Sequence, residues 1–213
     1  FGGSVNIPDY DMPLQLAGGE NNAWTNNDIT NYYLTVPRQN VETGFWLESD
    51  RMLSLDFSER SLEVQRGVVM EEFKQRCLNQ PYGDIGHLLR PLAYQTHPYQ
   101  WPTIGKELSH IANATLEEVK AFFFRFYAPN NAILAVTGNI SFEEAVALTE
   151  KWFGPIPHRN VPVRQLPQEP VQTQERRQVV KRPVPLDALF MAFHMCSREH
   201  SDYYAFDILS DIL

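Results

Sequence analysis

The chain has 213 residues, of which 43% are apolar and 21% charged, and a formal net charge of -8. That length can enclose a sizeable core, and that composition excludes disorder along the whole chain. The acidic balance, without any run of Lys or Arg, excludes a nucleic-acid groove, which needs a basic stripe to displace counterions from phosphates.

In chain order, residues 1–20 are rich in Gly, Pro, Asn and Asp, with turn signals at Gly2-Gly3 and Gly18-Gly19. Aromatic and β-branched residues then predict two short strands, Asn22–Thr25 and Asn31–Val36, joined near Asn26-Asn27-Asp28. Pro37 ends the second. Val41–Leu53 suits a helix, with Phe45, Trp46, Leu47 and Met52 as its apolar positions. Ser58 can cap a long amphipathic helix reaching about Leu78, in which Leu62, Val69, Phe73 and Cys77 fall at helical spacing. Tyr82–Tyr94 repeats the pattern, and Pro91 should kink or end it. A loop marked by Pro and Gly follows, His97–Gly105.

Thr115 and Glu118 form a capping box that opens a helix carrying Val119, Phe122, Phe123 and Phe126. After the Pro129-Asn130-Asn131 turn, the apolar run Ala132–Val136 predicts a strand buried on both faces. Ser141, with Glu144 three residues on, opens another helix ending near Phe153-Gly154. Residues 155–175 are a Pro-rich connecting segment. Gln178–Val180 and Leu189–Phe193 predict two more strands, and a last helix begins near Glu199. No repeat of solenoid length is present. The expected architecture is α+β, one domain over residues 1–213 built on a single sheet, incomplete at both ends.

Chemical signals are sparse. The two cysteines, Cys77 and Cys196, form no CxxC pair, and the sequence holds no phosphate loop and no GxSxG elbow. None of the six histidines stands four residues from another. His194, Cys196 and His200 lie close in sequence but match no common zinc spacing, so core or surface roles are the expectation. No apolar stretch approaches the roughly 20 residues needed to span a bilayer. Two thiols fit a bacterial cytoplasm or periplasm equally.

Two segments carry a resemblance. Gly18-Gly19-Glu20-Asn21-Asn22-Ala23-Trp24-Thr25-Asn26-Asn27-Asp28-Ile29-Thr30-Asn31-Tyr32-Tyr33 resembles the strand-pair signature GGxxNAxTxxDxTxYY at every specified position. Gln65-Arg66-Gly67-Val68-Val69-Met70-Glu71-Glu72-Phe73 resembles ERxVVxEE, the helix that supplies the third zinc ligand in inverted-motif peptidases. His97-Pro98-Tyr99, Ile104-Gly105, Tyr127–Ala132 and Val136-Thr137-Gly138 follow in matching order. The set resembles the M16 family of zinc metallopeptidases (pitrilysin, insulinase and mitochondrial processing peptidase).

The resemblance implies a fold like that of LuxS and the processing peptidases, a mostly antiparallel mixed sheet with helices packed on it. It implies a zinc endopeptidase cleaving extended polypeptides, with a second M16 domain in the same chain or in a partner subunit. Glu72 would be the metal ligand and Gln65, two helical turns earlier, would support it. The family usually has Glu at that earlier position; a neutral amide can hydrogen-bond a ligand carboxylate but cannot tune the charge at the metal. Asn22, Ala23, Trp24 and Thr25 would form the strand edge on which substrate lies.

Phe1-Gly2-Gly3-Ser4 resembles the tail of HxxEHxxFxG[ST], which would place both histidines and the catalytic glutamate upstream of Phe1. The intact parent would hold Zn²⁺; this chain, with one carboxylate and no imidazole pair, is expected to bind none firmly and to be inactive alone. Four alternatives stand beside these readings. Glu72 could be a solvated surface glutamate and Trp24 a core residue of an ordinary strand. The chain could be a non-catalytic M16 half acting as scaffold, or an unrelated acidic peptide-binding module.

Overall fold

The computed structural model describes residues 9–212. In chain order the elements are α1 (Asp11–Leu16), β1 (Glu20–Thr25), β2 (Thr30–Thr35), α2 (Val41–Leu53), α3 (Glu59–Phe73), α4 (Ile85–Ala93), α5 (Leu108–Ala112), α6 (Leu116–Phe126), α7 (Phe142–Phe153) and α8 (Tyr203–Ile212). The architecture is α+β: helices with a two-stranded antiparallel sheet. Two compact units form. One gathers the described residues as far as Glu72 with Thr103–Gln165; the other gathers Phe73–Pro102 with the described residues from Leu166 onward.

In the first unit, α1 ends in a Schellman turn. Gly19 N–H donates to the Leu14 carbonyl and Gly18 N–H to that of Gln15, both at 2.9 Å, with Gly18 left-handed at φ 73°. The Gly18-Gly19 signal is therefore a helix C-cap, and α1 itself, too short to show a period, was not foreseen. A side chain at Gly19 would force its neighbours to shift, because a Cβ would lie 2.5 Å from Leu14 Cδ1 and 2.7 Å from Val36 Cγ1. Leu14 and Leu47 make the centre of the core, with Tyr10, Leu34, Val36 and Trp46 packed around them. Gly44 in α2 lets β2 approach, since a Cβ there would meet Leu34 Cδ1 at 2.8 Å.

The expected caps are present. Ser58 Oγ accepts from Ser61 N–H, Thr115 and Glu118 form their reciprocal box, and Ser141 Oγ accepts from Glu144 N–H. α2 spans Val41–Leu53 as expected and packs on α7, where Lys151 and the Trp152 indole both donate to Glu42. Phe123 of α6 is buried and meets Phe57 edge-on at 5.3 Å.

Arg159, in the Pro-rich stretch, locks three chain segments together. Its guanidinium donates to the carbonyls of Tyr127 (2.5 Å), Leu53 (3.0 Å) and Met52 (3.3 Å). It also lies 4.9 Å from the ring centre of Phe124. A cation here satisfies carbonyls left open at the C-terminus of α2, where the helix dipole favours positive charge.

The second unit starts at Phe73, the last residue of α3, which is followed by a π-type turn over Lys74–Leu78; α4 begins at Ile85, three residues later than expected. Pro91 lies inside α4, which ends two residues beyond it. The segment after Leu166 has no regular structure before α8 but is tied to the ends of α4 by side chains. Arg176 donates to the Leu92 carbonyl at 2.7 Å, and His194 Nε2 donates to that of Ala93 at 2.6 Å. Glu169 accepts the N–H groups of Gln95, Thr96 and His97 at 2.7–2.8 Å. Burial pushes its carboxyl up, but these three donors, His97 foremost, and the Arg176 charge outweigh burial and hold it at about 2.

Three expected strands are corrected. Ala132–Val136, Gln178–Val180 and Leu189–Phe193 are irregular, and among the described residues β1 and β2 are the only paired strands. The first run is exposed rather than buried on both faces, with Ile133 98% accessible. A strand exists only where a neighbour accepts its ladder bonds; an apolar run alone does not provide one. α5 was also not foreseen, and α8 begins at Tyr203, four residues after the expected start.

Candidate peptide-docking ribbon and ligand helix

β1 and β2 pair antiparallel, with Asn22 facing Tyr33, Ala23 facing Tyr32, Trp24 facing Asn31 and Thr25 facing Thr30. The connecting loop is built by Asn26, whose side-chain oxygen accepts from Asp28 N–H (2.8 Å) and Ile29 N–H (2.9 Å). Asn26 N–H donates to the Ile29 carbonyl at 3.0 Å, closing the hairpin with a hydrogen-bonded pair. Antiparallel pairs alternate between bonded and non-bonded. Trp24/Asn31 and Asn22/Tyr33 are therefore the bonded pairs, and Asn21, Ala23 and Thr25 turn their main-chain groups to the outer edge of β1.

The two faces of the ribbon differ. The face bearing Ala23 also carries Leu34, which packs on the Leu14–Leu47 core, and Tyr32. The Tyr32 hydroxyl lies 2.7 Å from that of Tyr127, and the Arg51 guanidinium sits 3.7 Å from the Tyr32 ring centre. Burial pushes the Tyr127 hydroxyl up, and its bond to Tyr32 adds to this, so it stays protonated. Tyr10 is likewise pushed up, by burial first and then by the Glu48 carboxylate that accepts its hydrogen bond; Glu48 also pairs with Arg51. The face bearing Asn22 and Trp24 is open to solvent. Trp24 is 48% accessible and is not a core residue.

All six residues of β1 are exposed, and among the described residues no third strand pairs with it. Phe122 and Tyr33 are 58% and 49% accessible, whereas Phe123 is buried. Nothing in the sequence marks Arg51 as part of this ribbon. Its only local signal was the spacing of three from Glu48, which marks an ion pair and says nothing of Tyr32.

Gln65 and Glu72 lie on the flank of α3 that also carries the buried Leu62 and Phe73, and both are half-buried. Glu71 and Glu63 are exposed. Among the described residues α3 does not pack broadly against either strand, so the four β1 residues form one group and the Gln65–Glu72 pair a second. Among the described residues no group of three His, Cys, Asp or Glu side chains could hold a metal ion, so the residues present do not by themselves fit a zinc centre. His194 is engaged with the Ala93 carbonyl and His200 Nδ1 accepts from Asp202 N–H. No helix of the described residues is long and apolar enough to cross a membrane.

The profile of the peptidase M16 inactive domain matches residues 113–213. The zinc protease PqqE of Helicobacter pylori is 32% identical over 210 residues, covering 96% of this chain and 47% of that protein. The chain thus spans about half the length of this relative and about a third of the next ones. A solved protease structure from Helicobacter pylori superposes with a TM-score of 0.67 at 32% identity, over 76% of this chain and 39% of that one. The first half of the periplasmic protease PqqL from Escherichia coli superposes with a TM-score of 0.60 at 23% identity, over 69% and 32% respectively, a likeness of fold.

Proposed function

The chain belongs to the peptidase M16 family, and we propose that it is the substrate-docking part of a zinc-dependent endopeptidase acting on extended polypeptides. The observation that carries this reading is the outer edge of β1, an exposed strand with the main-chain groups of Asn21, Ala23 and Thr25 turned outward. A polypeptide laid along that edge continues the ribbon as a third strand, held by main-chain hydrogen bonds. Such bonds are available to nearly any sequence, which suits an enzyme for unfolded segments. Selectivity then rests on side chains that meet the open face at Asn22 and Trp24.

Glu72 supplies a carboxylate to the metal in this proposal, and Gln65 holds that carboxylate through its amide. The half-buried position of Glu72, beside an exposed Glu71, supports choosing it over its neighbour. This chain contains no HxxEH run, so the imidazoles would come from elsewhere in the parent protein. The test is Glu72→Gln in that parent, read by zinc content and by cleavage of an unfolded polypeptide. Zinc affinity should fall on the order of a hundredfold, with cleavage lost and far-UV circular dichroism unchanged. Full zinc occupancy in the variant at limiting metal rules out the ligand role.

A second reading, a non-catalytic M16 half that pairs with an active one, is favoured by Gln65 where the family usually has Glu, and by the inactive-domain match over residues 113–213. Under it, Glu72→Gln leaves cleavage by the assembled enzyme unchanged.

A further inference from the structure

The outer edge of β1 is not simply open. Of its three outward positions Ala23 is the middle one, and its N–H already donates to the side-chain oxygen of Asn22 at 2.8 Å. The neighbouring side chains are engaged elsewhere: the Asn21 amide donates to Asp11 at 3.3 Å, and Thr25 Oγ1 donates to Thr30 Oγ1 at 3.3 Å. We propose that Asn22 is a placeholder for substrate, its carboxamide oxygen occupying the Ala23 N–H until the carbonyl of an incoming strand replaces it. This inference rests on the docking reading above and adds how access to that edge is regulated.

The chemistry favours such a device. An unpaired edge strand invites pairing with any other chain, and proteins blunt such edges with local features. A carboxamide oxygen resembles a peptide carbonyl as an acceptor, so replacing one by the other exchanges like for like. Removing the Asn22 oxygen frees the donor, and a hydrogen bond of ordinary net strength corresponds to about fivefold in an equilibrium constant. Segments that are helical have their carbonyls already paired and cannot displace it; extended segments can. The placeholder thus selects for conformation, not for sequence.

The test uses the 213-residue chain, isotope-labelled, as wild type, Asn22→Ala and Asn22→Asp. Two quantities are read: the hydrogen-exchange protection of the Ala23 amide, corrected for intrinsic rates, and the affinity of a fluorescent, end-capped twelve-residue peptide alternating Thr and Gln. Asn22→Ala should lower Ala23 protection about fivefold and tighten peptide binding by a similar factor. Asn22→Asp keeps the acceptor, so protection should be retained and binding should be no tighter than wild type. Unchanged Ala23 protection in Asn22→Ala, or weaker peptide binding by that variant, overturns the placeholder while leaving the docking edge intact. If neither wild type nor either variant binds the peptide, the docking reading fails and the placeholder falls with it.

Discussion

Proline at position 23 separates the two uses of the β1 backbone. Pro lacks an N–H, and Ala23 is the residue whose N–H points away from β2. Ala23→Pro should therefore spare the ladder. It loses the bond to Asn22, worth at most about 1 kcal/mol at an exposed site. It regains about 0.4–1 kcal/mol because the unfolded chain has less freedom to lose. The residue before a proline is driven to extended backbone, which Asn22 already adopts in β1. Net stability should change by less than about 1 kcal/mol. Asn31→Pro is the comparison: its N–H faces Trp24, so that variant loses a ladder bond and presses a ring toward the opposite strand, costing about 2–3 kcal/mol. Peptide binding should rank the other way for position 23, since Ala23→Pro removes the central docking donor and should weaken affinity at least about tenfold, or 1.4 kcal/mol. Urea unfolding followed by tryptophan fluorescence measures the first quantity, with Trp24, Trp46 and Trp152 all in the ribbon-bearing unit. Anisotropy of the labelled peptide measures the second. Equal destabilisation by the two proline variants would mean that the deduced pairing is wrong, and unaltered peptide affinity in Ala23→Pro would mean that substrate does not use this edge.

Three other outcomes are expected. Arg159→Ala should cost about 2–3 kcal/mol, from charge-assisted bonds to the Tyr127 and Leu53 carbonyls and the ring contacts at Phe123 and Phe124, with Arg159→Lys restoring about half; a loss under about 0.5 kcal/mol in urea unfolding contradicts the clamp. Glu169 has its carboxyl lowered from 4.5 to about 2, so the attachment it provides is complete above pH 4.5 and is lost as pH falls through about 2. The amide resonances of Gln95, Thr96 and His97 should titrate together in that window and not in Glu169→Gln; a common midpoint at 4.5 is the refuting result. Gly19→Ala should cost about 1–3 kcal/mol by overpacking against Leu14 and Val36, and a melting temperature equal to wild type would contradict that packing.

What could be read from the residues was local. α2, α6 and α7 were legible because their signals lie within one or two turns: Thr115 with Glu118, Ser141 with Glu144, and the apolar spacing around Phe45 and Leu47. The ribbon was legible because Asn26 folds its own loop by bonding two residues further along. The candidate residues Asn22 to Thr25, Gln65 and Glu72 are marked by resemblance to family motifs and not by periodicity, since no spacing alone separates a ligand glutamate from a surface one.

The sequence by itself determined that α2, α3, α4, α6 and α7 are helices, where α3, α6 and α7 are capped, and that β1 and β2 form a hairpin. Tertiary structure decided the rest: that Ala132–Val136 lies exposed and unpaired, that Arg159 and Glu169 bind carbonyls and amides 32 and 72 or more residues away, and that Glu72 turns toward the packed flank of α3 while Glu71 does not. The physical reason is the range of the partner. A helix closes its hydrogen bonds within four residues of its own chain, whereas a strand, a clamp or a buried carboxylate depends on groups that only the folded chain brings near.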